Sequence, residues 1–150
     1  MKKYALILLL FGLINIQELF CQDSFNGKYV SLTQRFEDSN NPSKNKEHKQ
    51  KVILEIDISE VTNKGILKIT YPSDNIPMSY DLVSKFDTKF DEEKQTLFVS
   101  YKAYVNYEHE RLDVIFYIYF IKDYKAKTLH LAITPENGKT SNWFHDLTKL

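Results

Sequence analysis

Cysteine and net charge are the two features that this chain most clearly lacks. Cys21 is the only cysteine among 150 residues, so the fold has to be stabilised by an apolar core without a disulfide bond. The 20 basic residues balance the 20 acidic residues, which leaves no net positive field for binding nucleic acid. Only two of the basic residues, Arg35 and Arg111, are arginines, the side chain best suited to phosphate recognition. The composition therefore argues against a nucleic acid-binding protein.

Sequence motifs for catalysis and for metal binding are also absent. The chain has no serine or cysteine nucleophile motif, no glycine-rich phosphate loop and no pair of carboxylates at a characteristic spacing. Glu108-His109-Glu110 lacks the alternate-residue histidines of a metal site on a strand, and Asp91-Glu92-Glu93 lacks the central glycine of a calcium loop. We therefore predict a protein that is not an enzyme and that binds no metal and no cofactor.

The N-terminus has the pattern of a secretory signal peptide. Lys2 and Lys3 precede an apolar run from Tyr4 to Ile14, which is shorter than the roughly 20 residues that span a bilayer. We expect residues 1–21 to be a signal peptide and residues 22–150 to form one exported domain, periplasmic or extracellular, with no membrane span. The alternative is a membrane-anchored lipoprotein with lipid on Cys21, although Phe20 stands where lipoprotein signals have a small residue.

The stretch 111–134 predicts the central hairpin of the fold. Leu112–Ile121 is rich in β-branched and aromatic residues and is uninterrupted by Gly or Pro, which favours a strand, and Thr128–Thr134 alternates in the same way. We expect one face of the hairpin to be buried, at about 1.5–3 kcal/mol for each large apolar side chain. This inward face comprises Leu112, Val114, Phe116, Ile118, Phe120, Leu129, Leu131 and Ile133.

The opposite face of this hairpin is too apolar for an ordinary solvated surface. We interpret it as a candidate interaction face for a protein partner or a second copy of the chain, and its members are Ile115, Tyr117, Tyr119 and His130. A histidine beside two tyrosines could also transfer protons, so a hydrolase or isomerase centred on His130 is kept in reserve.

Alternating residues predict six further strands outside the hairpin. They are Phe25–Thr33, Lys51–Ile58, Ile66–Tyr71, a strand marked by Tyr80, Leu82 and Phe86, a strand marked by Leu97, Val99, Tyr101 and Ala103, and Thr140–Leu147 with Trp143 inward. Residues 36–50 are polar without periodicity and predict a long loop. Eight strands and no helical period predict an all-β fold, an eight-stranded antiparallel meander barrel, with a β-sandwich as the alternative.

The segment Phe25-Asn26-Gly27-Lys28-Tyr29, close after the signal peptide, resembles the start of a lipocalin-like (calycin) β-barrel. That family has Gly-x-Trp at this point, where this chain has Tyr29, and the last strand of this chain has no arginine. The resemblance implies that small apolar molecules bind in the barrel interior. The inward positions that would line the site are Tyr29, Tyr101, Phe116, Ile118, Phe120 and Trp143.

Two functions follow as hypotheses from these patterns. The first is a secreted, non-catalytic, bacterial lipocalin-like binding protein that holds a small apolar ligand inside the barrel. The alternative is an extracytoplasmic interaction or structural module that uses the tyrosine-rich sheet face.

Overall fold

The computed structural model describes residues 24–73, 77–107 and 110–150. The predicted signal peptide, with Cys21, and the pair Glu108-His109 lie outside these residues. The elements in chain order are the strands β1 (Gly27–Asp38), β2 (Lys46–Ser59), β3 (Lys64–Thr70), β4 (Met78–Asp91), β5 (Thr96–Tyr107), β6 (Glu110–Asp123), β7 (Thr128–Pro135), β8 (Thr140–His145) and β9 (Thr148–Lys149), and a 3₁₀ turn at Pro42–Lys44 between β1 and β2. Within the described ranges, no helix is long and apolar enough to cross a membrane.

The strands β1 to β8 form a closed antiparallel barrel. Each strand pairs with the next in sequence, and β1 pairs with both β2 and β8, which closes the sheet. The two-residue strand β9 adds to β1 at Tyr29 and Val30, beyond the end of β8. The prediction of an all-β, eight-stranded antiparallel barrel is confirmed, and the β-sandwich alternative is wrong because the sheet has no open break between two layers.

The central hairpin adopts the predicted register. Ile118 pairs with Ile133 and Phe120 pairs with Leu131, so the two apolar sets share one face. The side chains of Ile118 and Phe120 are fully buried in the barrel interior. A shift of one residue would move the apolar side chains of one strand to the outer face of the barrel. That register is excluded because these side chains are buried. The predicted register of the hairpin is therefore confirmed, and so is the inward face from Ile118 to Ile133.

The first half of β6 departs from the prediction. Leu112 and Val114 were expected in the interior, but they are 42% and 46% exposed. The strand β6 pairs with β7 only from Phe116 onward, and its pairing with β5 shifts register between Ile115 and Arg111, so Leu112 and Val114 lie in a bulged extension of β6 beyond the end of β7. Strand alternation in the sequence continues through this extension, but there is no opposite wall against which the side chains can be buried.

The predicted loop 36–50 is also wrong, because most of it is regular structure. The strand β1 continues to Asp38, β2 begins at Lys46, and the two remain paired as far as Phe36 with Lys46. The turn between them is held by Asn45, whose Oδ1 accepts a hydrogen bond from the Asp38 N–H at 2.8 Å. Both faces of this extension are largely polar, so no apolar alternation marks it in the sequence.

Two β-bulges in β4 shift the phase of its side chains. They lie between Leu82 and Ser84 and between Lys85 and Asp87, and each inserts an unpaired residue opposite β5. As a result Phe86, which was predicted to mark the buried side of this strand, is 65% exposed. The bulges carry no sequence signal strong enough to interrupt the alternation, and this is why the prediction fails at Phe86.

The interpretation of Trp143 as an inward residue is wrong for a similar reason. Its neighbour Phe144 is fully buried in the interior, so Trp143 points to the outer face. Asp146 has a left-handed backbone (φ 49°), which breaks the alternation after β8 and turns Leu147 into the core. Trp143 and Leu147 therefore lie on opposite sides of the barrel wall, although they are four positions apart and a regular strand would place them on the same side.

The middle of the barrel is filled by its own side chains. One continuous cluster of buried residues joins all the strands from β1 to β8. Its largest members with less than 2% exposure are Phe120, Phe144, Leu54, Leu67, Ile69, Leu82, Ile118, Leu131 and Val52. The centre of the barrel therefore leaves no space for a ligand, unlike the mouth described below.

Substitutions within β6 test the different burial of its two halves. We expect Ile118→Ala to lower the free energy of unfolding by about 2–5 kcal/mol, because it leaves a cavity in the filled interior. Leu112→Ala, on the extension of the same strand, is expected to cost under about 1 kcal/mol. Urea denaturation followed by circular dichroism measures both values. Equal losses for the two variants would contradict the structure.

Candidate binding site at the barrel mouth

One end of the barrel, which we call the mouth, is formed by the β2–β3, β4–β5 and β6–β7 turns together with Ser24–Asn26. Phe25 is the residue that occupies this end. Its ring stacks on Phe120, with centroids 5.0 Å apart and an interplanar angle of 16°. Phe120 also contacts Tyr101 edge to face at 5.8 Å, so Phe25 extends the aromatic stack of the interior toward solvent.

Hydrogen bonds fix the backbone on both sides of Phe25. The Asn26 side chain donates to the Ile58 carbonyl oxygen at 2.8 Å and accepts from the Ile58 N–H at 2.7 Å, which imitates a pair of strand hydrogen bonds. The Tyr29 hydroxyl donates to the Phe25 carbonyl oxygen at 2.9 Å. Gly27 has φ 143°, and a Cβ there would lie 2.7 Å from the Lys149 side chain, so glycine allows the chain to turn into β1.

The first cleft of the mouth opens through a gap in the barrel wall. Pairing between β3 and β4 ends at Gly65 with Leu82, but β4 continues to Asp91 with β5 as its only partner. The resulting cleft has a volume of about 270 Å³. Its lining residues are Ser24, Phe25, Asn26, Ile58, Glu60, Asn63, Lys85, Thr88, Leu97, Val99 and Tyr101.

The floor of the first cleft is apolar and its rim is polar. Leu97, Val99 and Tyr101 are buried residues of β5 that belong to the interior cluster. Because of the bulges, Lys85 is paired with Tyr101 and Thr88 with Val99, which brings both side chains to the interior side of β4. Burial raises the pKa of the Tyr101 phenol, and the Glu60 carboxylate raises it further. Tyr101 therefore offers a neutral hydroxyl to the cleft at physiological pH.

The second cleft lies on the other side of Phe25 and has a volume of about 400 Å³. Tyr29, Leu129 and Leu147 supply apolar surface from the edge of the core. The other lining residues are Ser24, Phe25, Lys122, Asp123, Tyr124, Lys127, Thr128, Thr148 and Lys149. Ser24 and Phe25 line both clefts and separate them.

The six residues predicted to bind a ligand do not lie together. Tyr101 lines the first cleft and Tyr29 lines the second. Phe120 lies beneath Phe25, whereas Ile118 is fully buried in the filled interior. Phe116 packs edge to face on Tyr80 at 5.5 Å, and Trp143, as described above, lies on the outer face. The structure thus brings only part of the predicted set to the mouth.

The sequence analysis did not identify Phe25, Asn26, Lys85 and Thr88 as residues of the mouth. Phe25 and Asn26 were taken as the start of a strand, and their side chains are placed by contacts with Phe120 and Ile58, far away in sequence. Lys85 and Thr88 reach the cleft only because of the bulges in β4. The one available signal was the position of Phe25, an aromatic residue between the polar Ser24 and Asn26 at the start of the first predicted strand.

The outer face of the central strands carries the predicted interaction residues. Ile115, Tyr117 and Tyr119 alternate with interior residues of β6 and are half-buried. Tyr119 lies between the small buried residues Ser100 of β5 and Ala132 of β7, which are its pairing partners. Phe86 of β4 packs against Tyr117, with ring centroids 5.3 Å apart. We call the surface formed by Phe86, Ile115, Tyr117 and Tyr119 the aromatic face.

His130 lies on the same side of the sheet, but its surroundings differ from those predicted. Its cross-strand partner is Ile121, whereas Tyr117 pairs with Thr134 and Tyr119 with Ala132. The His130 Nδ1 accepts a hydrogen bond from the Asp146 N–H at 3.2 Å. Its Nε2 lies 3.1 Å from the Thr128 hydroxyl, which makes Nε2 the protonated nitrogen of the neutral ring. This arrangement uses both ring nitrogens structurally and gives no support to the hydrolase or isomerase hypothesis.

Burial lowers the pKa of His130 below its usual value of 6.5. The nearby His145 lowers this pKa too, while Asp146 and Asp123 act in the opposite direction. Protonation at Nδ1 would also remove the acceptor for the Asp146 N–H at the turn that leads Leu147 into the core. The folded state is therefore the one in which His130 is neutral.

The pH dependence of stability tests this role of His130. Because its pKa is lower in the folded than in the unfolded chain, the unfolded chain takes up the proton first, and stability falls as the pH drops below about 6.5. We expect His130→Gln to lose less unfolding free energy than the wild type between about pH 7 and pH 5. His48→Gln, at an exposed position of β2, is the control and should behave like the wild type. Parallel curves for wild type and His130→Gln, from urea denaturation, would contradict this role.

Within the three described ranges, no group of three or more His, Cys, Asp and Glu side chains could hold a metal ion. The closed eight-stranded antiparallel barrel is compatible with a lipocalin-like fold. Comparison of the chain with protein-family models, with curated proteins and with solved structures finds no match.

Proposed function

We propose that this protein is an exported, non-catalytic, lipocalin-like binding protein that holds a small apolar molecule in the first cleft. The observation that carries the proposal is the composition of the cleft floor. Leu97, Val99 and Tyr101 belong to the barrel interior, yet they border a cleft that opens between β3 and β4. Apolar surface of this kind, with a few polar groups around it, is typical of small-molecule sites.

The size of the first cleft limits the ligand to a small molecule. Its volume of about 270 Å³ is just below the range of about 300–1,000 Å³ that is common for ligand pockets. Ile118 and Phe120 fill the barrel beyond it, so a bound molecule would rest at the mouth and not at the centre. A ligand of up to three aromatic rings, or a short aliphatic chain, fits these limits.

Polar groups on the rim of the first cleft would orient a bound ligand. The neutral Tyr101 hydroxyl and the Asn63 side chain offer hydrogen bonds, and Lys85 and Glu60 contribute one charge of each sign. Opposite charges on the same rim give no net preference for an anion or a cation. The proposed ligand is therefore neutral, with at most one or two polar groups.

The N-terminal pattern supports export as part of this proposal. A basic start followed by a short apolar run is typical of secretory signals, and cleavage after Cys21 would release residues 22–150. Lipid attachment at Cys21 is the alternative, and mass spectrometry of the protein from its host distinguishes the two.

A fluorescence titration with phenylnaphthylamine, a neutral apolar probe, tests binding in the first cleft. Thr88 is exposed at the cleft and Lys89 is exposed on the opposite side of the same strand. We expect Thr88→Trp to fill the cleft and weaken probe binding at least tenfold, or ~1.4 kcal/mol. Lys89→Trp adds the same side chain outside the cleft and should bind the probe like the wild type.

Two outcomes of this titration would overturn the proposal. One is that the folded wild-type protein does not bind the neutral probe. The other is that Thr88→Trp and Lys89→Trp bind it equally well, because the probe then occupies some other surface. Circular dichroism of each variant establishes that the barrel is intact before the titration.

The aromatic face supports a second candidate function, an extracytoplasmic interaction module. The observation that favours it is Phe86, which is 65% exposed and yet packs on Tyr117. Aromatic surface therefore continues from β6 onto the part of β4 that has no pairing with β3. Exposed aromatic clusters are enriched at protein interfaces. The proposed partner for this face is a second copy of the chain.

Sedimentation velocity of surface variants tests the second candidate. If the aromatic face joins two copies, we expect the wild type to dimerise, and Phe86→Lys and Tyr117→Lys to weaken the dimer at least tenfold because they place charges in the interface. Leu32→Lys is the control, since Leu32 is 65% exposed, like Phe86, and lies on β1, which pairs with none of the strands β4, β5 and β6. A wild type that stays monomeric, or variants that dimerise like it, would rule out self-association through this face.

A further inference from the structure

We propose that the second cleft is a separate binding site for a small amphipathic anion, with the apolar part on Phe25 and Tyr29 and the anionic group among Lys122, Lys127 and Lys149. This inference goes beyond the neutral ligand assigned to the first cleft. It is based on the apolar surface, the charges and the position of the second cleft.

The apolar surface of the second cleft is built by contacts that hold it in place. Phe25 is fixed by its stack on Phe120 and by the hydrogen bond from the Tyr29 hydroxyl to its carbonyl oxygen. Leu147 is brought to the cleft by the left-handed Asp146, and its N–H donates to the Leu129 carbonyl oxygen at 2.8 Å. An apolar body placed at this wall would therefore meet a preformed surface, which reduces the ordering cost of binding.

The charges around the second cleft are mainly positive. Among the described residues that line it are Lys122, Lys127 and Lys149, against one carboxylate, that of Asp123. The Asp123 Oδ1 accepts a hydrogen bond from the Ala126 N–H at 2.7 Å, so this carboxylate also serves the β6–β7 turn. The surplus of positive charge distinguishes this cleft from the first, where Lys85 and Glu60 balance each other. An anion is the ligand that complements it.

Aromatic rings position two of the three ammonium groups. The Nζ of Lys149 lies 5.9 Å from the Tyr29 ring centroid, and the Nζ of Lys122 lies 5.0 Å from that of Tyr124. These cation–π contacts keep the ammonium groups beside apolar surface instead of extended into solvent. A ligand that carries an anionic group next to an aromatic or short aliphatic body matches this arrangement of charge and apolar surface.

Phe25 makes the two sites independent. Its ring and Ser24 separate the clefts, and the Asn26 hydrogen bonds to Ile58 hold this segment to the barrel on the side of the first cleft. A molecule in one cleft need not displace a molecule in the other. The protein can thus hold a neutral and an anionic ligand at once.

A matched pair of probes tests the second site. Anilinonaphthalene sulfonate has the same ring system as phenylnaphthylamine and differs by one sulfonate group. We expect the double variant Lys127→Gln/Lys149→Gln to bind the sulfonate about tenfold more weakly and to bind the neutral probe like the wild type. Lys125→Gln, an exposed lysine of the same turn that does not line the cleft, is the control and should change neither. Raising the salt concentration to about 0.5 M should weaken only the sulfonate.

The same titrations separate the failure of this inference from the failure of the proposed function. Thr88→Trp should weaken the neutral probe while leaving the sulfonate unaffected. If the sulfonate binds the double variant as tightly as the wild type, or loses affinity in Thr88→Trp, the second site is overturned and the first remains. If the neutral probe does not bind but the sulfonate shows the expected lysine and salt dependence, only the proposed function fails.

Anionic amphipathic groups occur both in free small molecules and in membrane lipids, and competition distinguishes these sources. We expect decanoate to displace the sulfonate and vesicles of phosphatidylglycerol at the same anion concentration to leave it bound. Decanol, the matched neutral chain, should compete about tenfold less well than decanoate. Displacement by vesicles but not by decanoate would overturn the assignment to a small amphipathic anion.

Discussion

Closure of the barrel through β1 is the constraint on which the rest of the structure depends. Among the strands of the described residues, β1 alone has three partners, β2, β8 and β9, so it joins the first and last parts of the described chain. A bulge at Ser31–Thr33 bends it where these partners meet. The Ser31 hydroxyl is fully buried there and lies 2.9 Å from the carbonyl oxygens of both Thr33 and His145, which are the two acceptors for its one proton. Without the pairing of β1 with β2 and β8, the strands β2 to β8 would form an open sheet with two exposed edges.

Closure also explains why the two clefts lie at the mouth and not in the interior. Eight strands enclose an interior that is just wide enough for side chains, and in this barrel the side chains fill it. The strands have unequal lengths, however, and β4 extends past the end of its pairing with β3. The wall is therefore incomplete at one end, and Phe25 divides the space there into a charge-balanced cleft and a positive one. Function at this barrel would depend on how the mouth is lined more than on its interior.

Several irregular positions of the chain lie around the same end. The bulges of β4 turn Lys85 and Thr88 toward the first cleft, and they leave Phe86 on the outer surface. The left-handed Asp146 turns Leu147 toward the second cleft and sits against the neutral ring of His130. Each of these departures from regular strand geometry moves a side chain from one side of the barrel wall to the other. The two clefts are lined differently as a result.

The order of residues along the chain by itself determined the all-β class, the strand number and the faces of the central hairpin. Long β-branched and aromatic alternation has a single stable arrangement once one face must be buried, and Ile118 and Phe120 lie where it requires. The alternation could not specify where a strand has neighbours on both sides, so Leu112 and Val114 were misassigned, as was the polar hairpin formed by 36–50.

Only the tertiary structure decided the sites. Phe25 and Asn26 acquire their positions from Phe120 and Ile58, which are distant in sequence, and the bulges and the left-handed Asp146 reverse the side-chain phase at Phe86 and between Trp143 and Leu147. A local pattern contains no information about contacts between distant strands, and these contacts determine which residues line a cleft and which charges surround it.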